Sequence, residues 1–314
     1  MEFSDIDLPW YGKNNITSLK QNSMDRNINT ACNTAEEIPR RLETMIDSMP
    51  AFPKSVQRIM QLTSDINCSP TELVQVIEHD PIITTKILKL LNSAYYNLPR
   101  KISSIKRSIV YIGLNTIKNM ALSIASVGML PKKNTAGFDY KELLAHSVST
   151  AAIAKLLCEK LGPSDGEPSD FFVAGLIHDF GKIVFARSLP EEFNLCLTQS
   201  RDENRPLDEL ENEIIGTDHA KVGALLVEKW HFPAPLVSCV KGHHHPDLTT
   251  DEMSDCIITA DVISKTVVQK TIPCVPDPIS SVIETRFGME IEELIISLGD
   301  LDKELAEANS LAYL

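Results

Sequence analysis

The sequence predicts an all-α protein, and three observations predict it. From about residue 36 onward, apolar residues recur at helical spacing. Almost no stretch alternates with the period of two that marks a half-buried strand. Aromatic residues are scarce, at 6%, while Leu, Ile, Ala and Ser dominate, a composition that favours packed helices over sheet. The chain has 314 residues, long enough for two domains of ordinary size or one domain with an appended lobe.

Residues 1–35 are polar and Asn-rich, and their apolar residues follow no period. This segment is expected to be disordered, and its removal is expected to change stability little. An N-terminal helical lobe is predicted over 36–130. RRLETMIDSM reads as a helix ending before Pro50, and PKSVQRIMQLTS opens with Pro53 in a first-turn position. Ser69-Pro70 starts TELVQVIEH. Asp80-Pro81 supplies an N-cap and a first-turn proline for IITTKILKLLNSAYY, in which Ile83, Ile87, Leu90 and Leu91 share a face. Two further helices, around SIKRSIVYI and LNTIKNMALSIASVGML, are separated by Gly113. The turn-rich PKKNTAG marks the boundary between lobes.

A second helical bundle is predicted over 138–270. YKELLAHSVSTAAIAKLLCEKL and PSDFFVAGLIHDFGKIVFARS read as long helices joined by the GPSDGEPS loop. Further helices are expected at LDELENEIIG, HAKVGALLVEKWH, APLVSCVKGHH and EMSDCIITADVISKTVVQK. Residues 271–314 read as a Pro-rich connection, PCVPDP, and a helical tail rich in Glu and Leu.

Charge and composition narrow the function. A net charge of -13 and a pI near 5.1 argue against nucleic acid, because broad phosphate-backbone binding needs a basic face to release counterions. A small phosphorylated ligand held by a metal or one lysine stays open. The start MEFSDIDLPW lacks the apolar core of a secretory signal. The apolar-leaning run from Ile117 to Leu130 is too short and too interrupted to span a bilayer. The expectation is therefore a soluble, cytoplasmic protein with no membrane partner. The seven cysteines form no CxxC pair, so neither a disulfide framework nor a thiolate zinc site is indicated, and buried reduced thiols are expected.

The histidines carry the chemistry. Seven of the eight lie between His146 and His245, one of them in the adjacent pair His178-Asp179. Neighbouring residues on a helix point about 100° apart, so His178 and Asp179 converge on one ion only if it lies between their directions, an arrangement suited to an Asp bridging two metals. His146, His219, His243, His244 and Asp261 fall on other predicted helices that can face the same cleft, as helical imidazole and carboxylate sites do. Such ligands without thiolate fit one or two divalent ions of iron, manganese, nickel or zinc. Each residue also has a structural reading: His146 as a core histidine, His219 as a helix-start residue after Asp218, and the 243–245 run as cationic capping of a helix C-terminus. Lys182, three residues from Asp179, suits an i,i+3 salt bridge as well as a phosphate contact. Asp261, amid IITADVI, is predicted to be buried and to need a partner. The joint pattern is more specific than any of its members.

The order His146, His178-Asp179, His219, His243-His244, Asp261 resembles the HD superfamily of metal-dependent phosphohydrolases, and GLIHDFGKIV is similar to its central helix. Over about residues 43–268 the chain resembles more closely the HDOD family, the HD-related output domains of bacterial signal transduction. MPAFPKSVQRIM, IEHDPIITTKILKLLNSAYY and SIKRSIVYIGLNTIKNMAL carry the likeness in the first lobe. GLIHDFGKIVF, DHAKVGALLVEKWHFP, HHHP and TADVIS carry it in the second. The resemblance implies an all-α fold with an N-terminal lobe packed on an HD-type bundle. It also implies a regulatory or ligand-binding module in which hydrolysis is unproven and the metal site is often incomplete. This chain departs from that pattern by having a candidate at each ligand position. It departs from HD-GYP relatives because HHHPDLTTDEM, not a Gly-Tyr-Pro motif, follows the paired histidines, so cyclic di-GMP hydrolysis loses support. Two readings follow: an output module that binds signalling proteins or a small phosphorylated ligand, and a metal-dependent phosphohydrolase in which Lys182 offsets charge on a phosphate oxygen.

Overall fold

The computed structural model describes residues 37–305, apart from 52, 64–68, 93–99, 129, 131–136, 163–165, 247–250, 270–276 and 303. The expectation for residues 1–35 lies outside the described residues. Everything regular within them is helical, and none of their helices is long and apolar enough to cross a membrane.

The N-terminal lobe comprises α2 (Lys54–Thr63), α3 (Pro70–Glu78), α4 (Pro81–Leu91), α5 (Ile105–Ile112) and α6 (Leu114–Gly128). Its helix starts follow local chemistry. Ser69 caps α3, and the Asp80 carboxylate accepts from the backbone N–H groups of Ile82 and Ile83, with Pro81 at the first helical position. Residues 93–96 of the expected span lie outside the described residues, and helix α4 ends at Leu91. There the Asn92 side chain turns away to bond both the N–H and the carbonyl of Ile102 at 2.8 Å. Gly113, at φ 81°, makes the corner between α5 and α6 that a Cβ would strain. Ile83, Ile87, Leu90 and Leu91 are buried on the shared face predicted for them.

The second bundle runs through α7 (Tyr140–Leu161), α8 (Pro168–Ile177), α9 (Phe180–Ser188), α10 (Pro190–Glu203), α11 (Leu207–Ile214), α12 (His219–Lys229), α13 (Ala234–Gly242) and α14 (Glu252–Gln269). Helices α7, α8 and α14 pack together, α12 lies on α9 and α13, and α6 meets α8 to join the lobes. One continuous apolar cluster runs through both lobes. In the C-terminal region α15 (Asp277–Phe287) and α16 (Ile291–Ser297) follow, and Arg286 clamps α15 to Asp255 of α14. The four described cysteines, Cys158, Cys196, Cys239 and Cys256, are buried and unbridged.

Three features differ from expectation. The stretch read as one helix from Pro168 to Ser188 is two, broken at His178-Asp179. Helix α10 was not foreseen. Helix α1 (Glu37–Ser48), contiguous in sequence with the first lobe, packs instead on α9 and α12. There Lys229 bonds the Ile46 carbonyl and Asp47, and Trp230 Nε1 donates to the Pro50 carbonyl.

Candidate metal centre

The break at His178-Asp179 is what allows the pair to work together. The His178 ring turns back on its own helix, and Nδ1 donates to the Gly175 carbonyl at 2.7 Å, ending α8. His243 does the same at the end of α13, with Nδ1 donating to the Val240 carbonyl at 2.7 Å. The C-terminal capping anticipated for the 243–245 run is thus real for His243. It is made by a neutral ring rather than a cation, since burial pushes His243 down to about 4. In both residues the capping nitrogen carries the proton, and Nε2 is left with its lone pair facing inward. Capping and ligation use opposite ends of one imidazole.

The other donors arrive from three more helices. His146 lies in the second turn of α7, with Nδ1 3.2 Å from the Ser264 hydroxyl. His219 opens α12, whose cap is the Asp218 side chain, so its helix-start role and its place in the cluster are compatible. Its Nδ1 donates at 2.6 Å to Glu211, a carboxylate with no exposed surface. Asp261 comes from α14. Helices α9 and α12 approach so closely that a Cβ on Gly181 would stand 1.9 Å from the His219 carbonyl oxygen. That contact sets His219 against Asp179.

Asp179 stands at the centre. Its Oδ1 lies 3.2 Å from His219 Nε2 and 3.6 Å from His243 Nε2, while Oδ2 lies 3.5 Å from both His146 Nε2 and His178 Nε2. Asp261 Oδ1 lies 3.0 Å from His146 Nε2 and 3.7 Å from His178 Nε2. His244 Nε2 is 2.9 Å from His219 Nε2. Two overlapping donor groups result, His146-His178-Asp179 and Asp179-His219-His243-His244, each with its ligand atoms within 4.8 Å of one another. All seven residues predicted from sequence converge. Lys182 Nζ sits 2.6 Å from Asp179 Oδ2, the salt bridge foreseen for it, and Lys265 Nζ sits 2.6 Å from Asp261 Oδ2.

Five of the donor atoms fit a metal because none of the described residues gives them an aligned hydrogen bond. His146 Nε2, His178 Nε2, His243 Nε2, Asp179 Oδ1 and Asp261 Oδ1 are buried without an aligned hydrogen bond, including the close 3.0 Å approach of His146 to Asp261. Leaving one such group unpaired costs about 1–3 kcal/mol, and more when it is charged. Five gathered around Asp179 make sense when one or two cations complete them. Protonation is suited to this. Burial opposes ionisation of Asp179 and Asp261, but Lys182 beside the first and Lys265 beside the second outweigh it and hold both well below the usual carboxylate range. Burial lowers His146 and His244. His219 is the exception: burial would lower it, but Glu211 raises it to about 9, and a metal taking its Nε2 would displace that proton.

Sequence reasoning missed Glu211, Ser264 and Lys265. Lys265 had a signal, since it lies four residues from Asp261 on one helix face. Glu211 had none.

Comparison with known proteins gives a consistent picture. Residues 49–246 match the HDOD domain family, a narrower span than the resemblance over 43–268. Asp261 lies beyond that match, and the fold alone brings it to the centre. An HDOD domain protein of unknown function from Geobacter sulfurreducens is 26% identical, with a TM-score of 0.70, over 88% of this chain and 96% of that one. A candidate phosphohydrolase from Shewanella amazonensis shares the fold at a TM-score of 0.70 and 21% identity, over 87% of this chain and 98% of that one. Among curated proteins, an uncharacterised protein of Treponema pallidum is 24% identical over 242 residues, 77% of this chain and 46% of its own length. The uncharacterised YuxH of Bacillus subtilis is 31% identical over 104 residues, 33% of this chain and 24% of its own length. The chain thus spans less than half of either curated relative.

Proposed function

The chain belongs to the HDOD family, and from that premise we propose that it is a cytoplasmic signal-transduction output module whose HD-type site holds one or two divalent metal ions. The carrying observation is the set of five buried, unpartnered donor atoms around Asp179. Imidazole and carboxylate donors without thiolate favour iron, manganese, nickel or zinc. The N-terminal lobe supports an output role rather than a purely catalytic one. Its described residues contribute none of the donors, yet it joins the bundle through α6 and α8, so its place is to present surface to signalling proteins or a small ligand.

A second reading, metal-dependent phosphohydrolase, is favoured by one specific observation: the two oxygens of Asp179 face different histidine groups. A pair of ions held by these groups would supply hydroxide and a clamp for a phosphate. In that reading Lys182 turns from Asp179 toward a phosphate oxygen. The edge of the cluster open to solvent includes Lys182 and His146, whose side chains are 14% and 19% exposed.

The experiment is elemental analysis of protein purified without chelator or nickel affinity, beside a His178→Ala, Asp179→Ala double variant. About one or two ions per chain in the parent and none in the variant is expected. Absence of metal from both, after anaerobic reconstitution with iron or manganese, overturns the metal site. A metal-replete parent that turns over any member of a phosphoester, nucleotide and cyclic-dinucleotide panel establishes the second reading over the first.

A further inference from the structure

Between the lobes, α4 and α6 on one side and α7 and α8 on the other enclose a cavity of about 400 Å³, within the size range of small-molecule sites. None of its lining residues belongs to the donor cluster. Its walls are apolar: Leu90, Met120, Ile124, Val148, Phe172 and Leu176.

Four charged side chains also line it: Lys86, Lys155, Glu159 and Glu167. Three have partners. Lys155 and Glu159 pair with each other at 3.6 Å, and the Glu167 carboxylate accepts a backbone N–H in the capping box that starts α8. Lys86 is half-buried on α4 and makes no ion pair with any described residue. Of the four, the Lys86 side chain alone has neither a hydrogen bond nor an ion pair among the described residues, so the unpartnered donor at this cavity is an ammonium, and its complement is an anion.

We infer that this cavity binds an amphipathic monoanion, an apolar chain lying between the lobes with its carboxylate on Lys86. At about 30 Å³ per water-sized group, the space holds roughly a dozen non-hydrogen atoms, the size of a ten-carbon fatty carboxylate. The alternative, a lysine that merely lays its stem along apolar surface with its head in water, predicts no preference for an anionic head. The walls include Val148, two residues after His146, and Leu176, two before His178. A ligand here touches the helices that present two of the donors, but its binding does not depend on a metal being held.

The test is isothermal titration of the full chain with decanoate, 1-decanol and decylamine, using the parent, Lys86→Met and Ile124→Trp. Decanoate is expected to saturate at one per chain and to bind more tightly than decylamine. Lys86→Met is expected to weaken decanoate roughly ten-fold or more while changing decanol less than about two-fold. Ile124→Trp, which fills the cavity, is expected to abolish binding of both. Failure of decanoate to saturate, or equal affinity in the parent and Lys86→Met, overturns the inference. Lys86→Met replaces a half-buried side chain and keeps the stem, so the result stands even if Ile124→Trp does not fold. Metal content, measured separately, is unaffected by either outcome.

Discussion

The two lobes bury different things. Among the described residues, the N-terminal lobe buries one polar side chain, Ser108, whose hydroxyl donates to the Ser104 carbonyl. Its remaining buried side chains are aliphatic or Met. The second bundle buries the ionisable side chains of His178, Asp179, Glu211, Asp218, His219, His243, Asp255 and Asp261, together with several Ser and Thr hydroxyls. Burying a charge is costly unless it is paired or bound to a metal. The first lobe is therefore organised for packing, and the second carries buried charge, part of it paired with Lys182, Lys265 and Arg286 and part left as donor atoms that a cation would complete.

The contrast can be broken at either end. Leu91→Ala, at a position with no exposed surface, is expected to cost about 2–5 kcal/mol while leaving metal per folded chain unchanged. Urea unfolding beside elemental analysis measures both, and loss of metal would erase the division of labour. In the second bundle, Glu211→Gln removes the carboxylate behind His219. It is expected to weaken metal affinity about 10–100-fold, about 1.4–2.7 kcal/mol, in a chelator competition. An unchanged affinity would show that Glu211 serves folding alone. Asp80→Ala removes the cap of α4 and the acceptor of the Ser55 hydroxyl, and a loss of about 1 kcal/mol in the same unfolding measurement is expected. Ile82→Ala, at a side chain 69% exposed, is expected to stay within about 0.5 kcal/mol. A larger cost would mean that Ile82 packs in a way its exposure does not reveal.

Much of this was legible because the signals are local. Ser69-Pro70 and Asp80-Pro81 announce their helices through capping chemistry that needs no tertiary contact, and the spacing of Ile83, Ile87, Leu90 and Leu91 reports a buried face directly. The seven donors could be read as a set because their residue types are costly to bury without a purpose. What stayed hidden depends on the assembled fold. Helix α10 begins with no capping side chain and buries only Phe193 and Cys196 among its described residues, too thin a stripe to register as periodic. Glu211 stands in LDELENEI beside Glu209 and Glu213, which are more than half exposed. Only the position of His219 above it separates the buried acid from its solvated neighbours. The break between α8 and α9 was hidden because GLIHDFGKIVF has unbroken helical character, and the interruption comes from a histidine ring taking up the Gly175 carbonyl.

The contact between Gly181 and the His219 carbonyl has one further consequence. Two donors, Asp179 and His219, are spaced by backbone resting on backbone, and one turn further along α12 a Cβ on Gly223 would lie 3.1 Å from the Gly181 nitrogen. The atoms nearest Gly181 are all backbone, so no rotamer change absorbs a displacement at that point, and packed interiors compress little. The gauge of the site is thus set like the track of a railway: at this contact α9 and α12 cannot close further on each other.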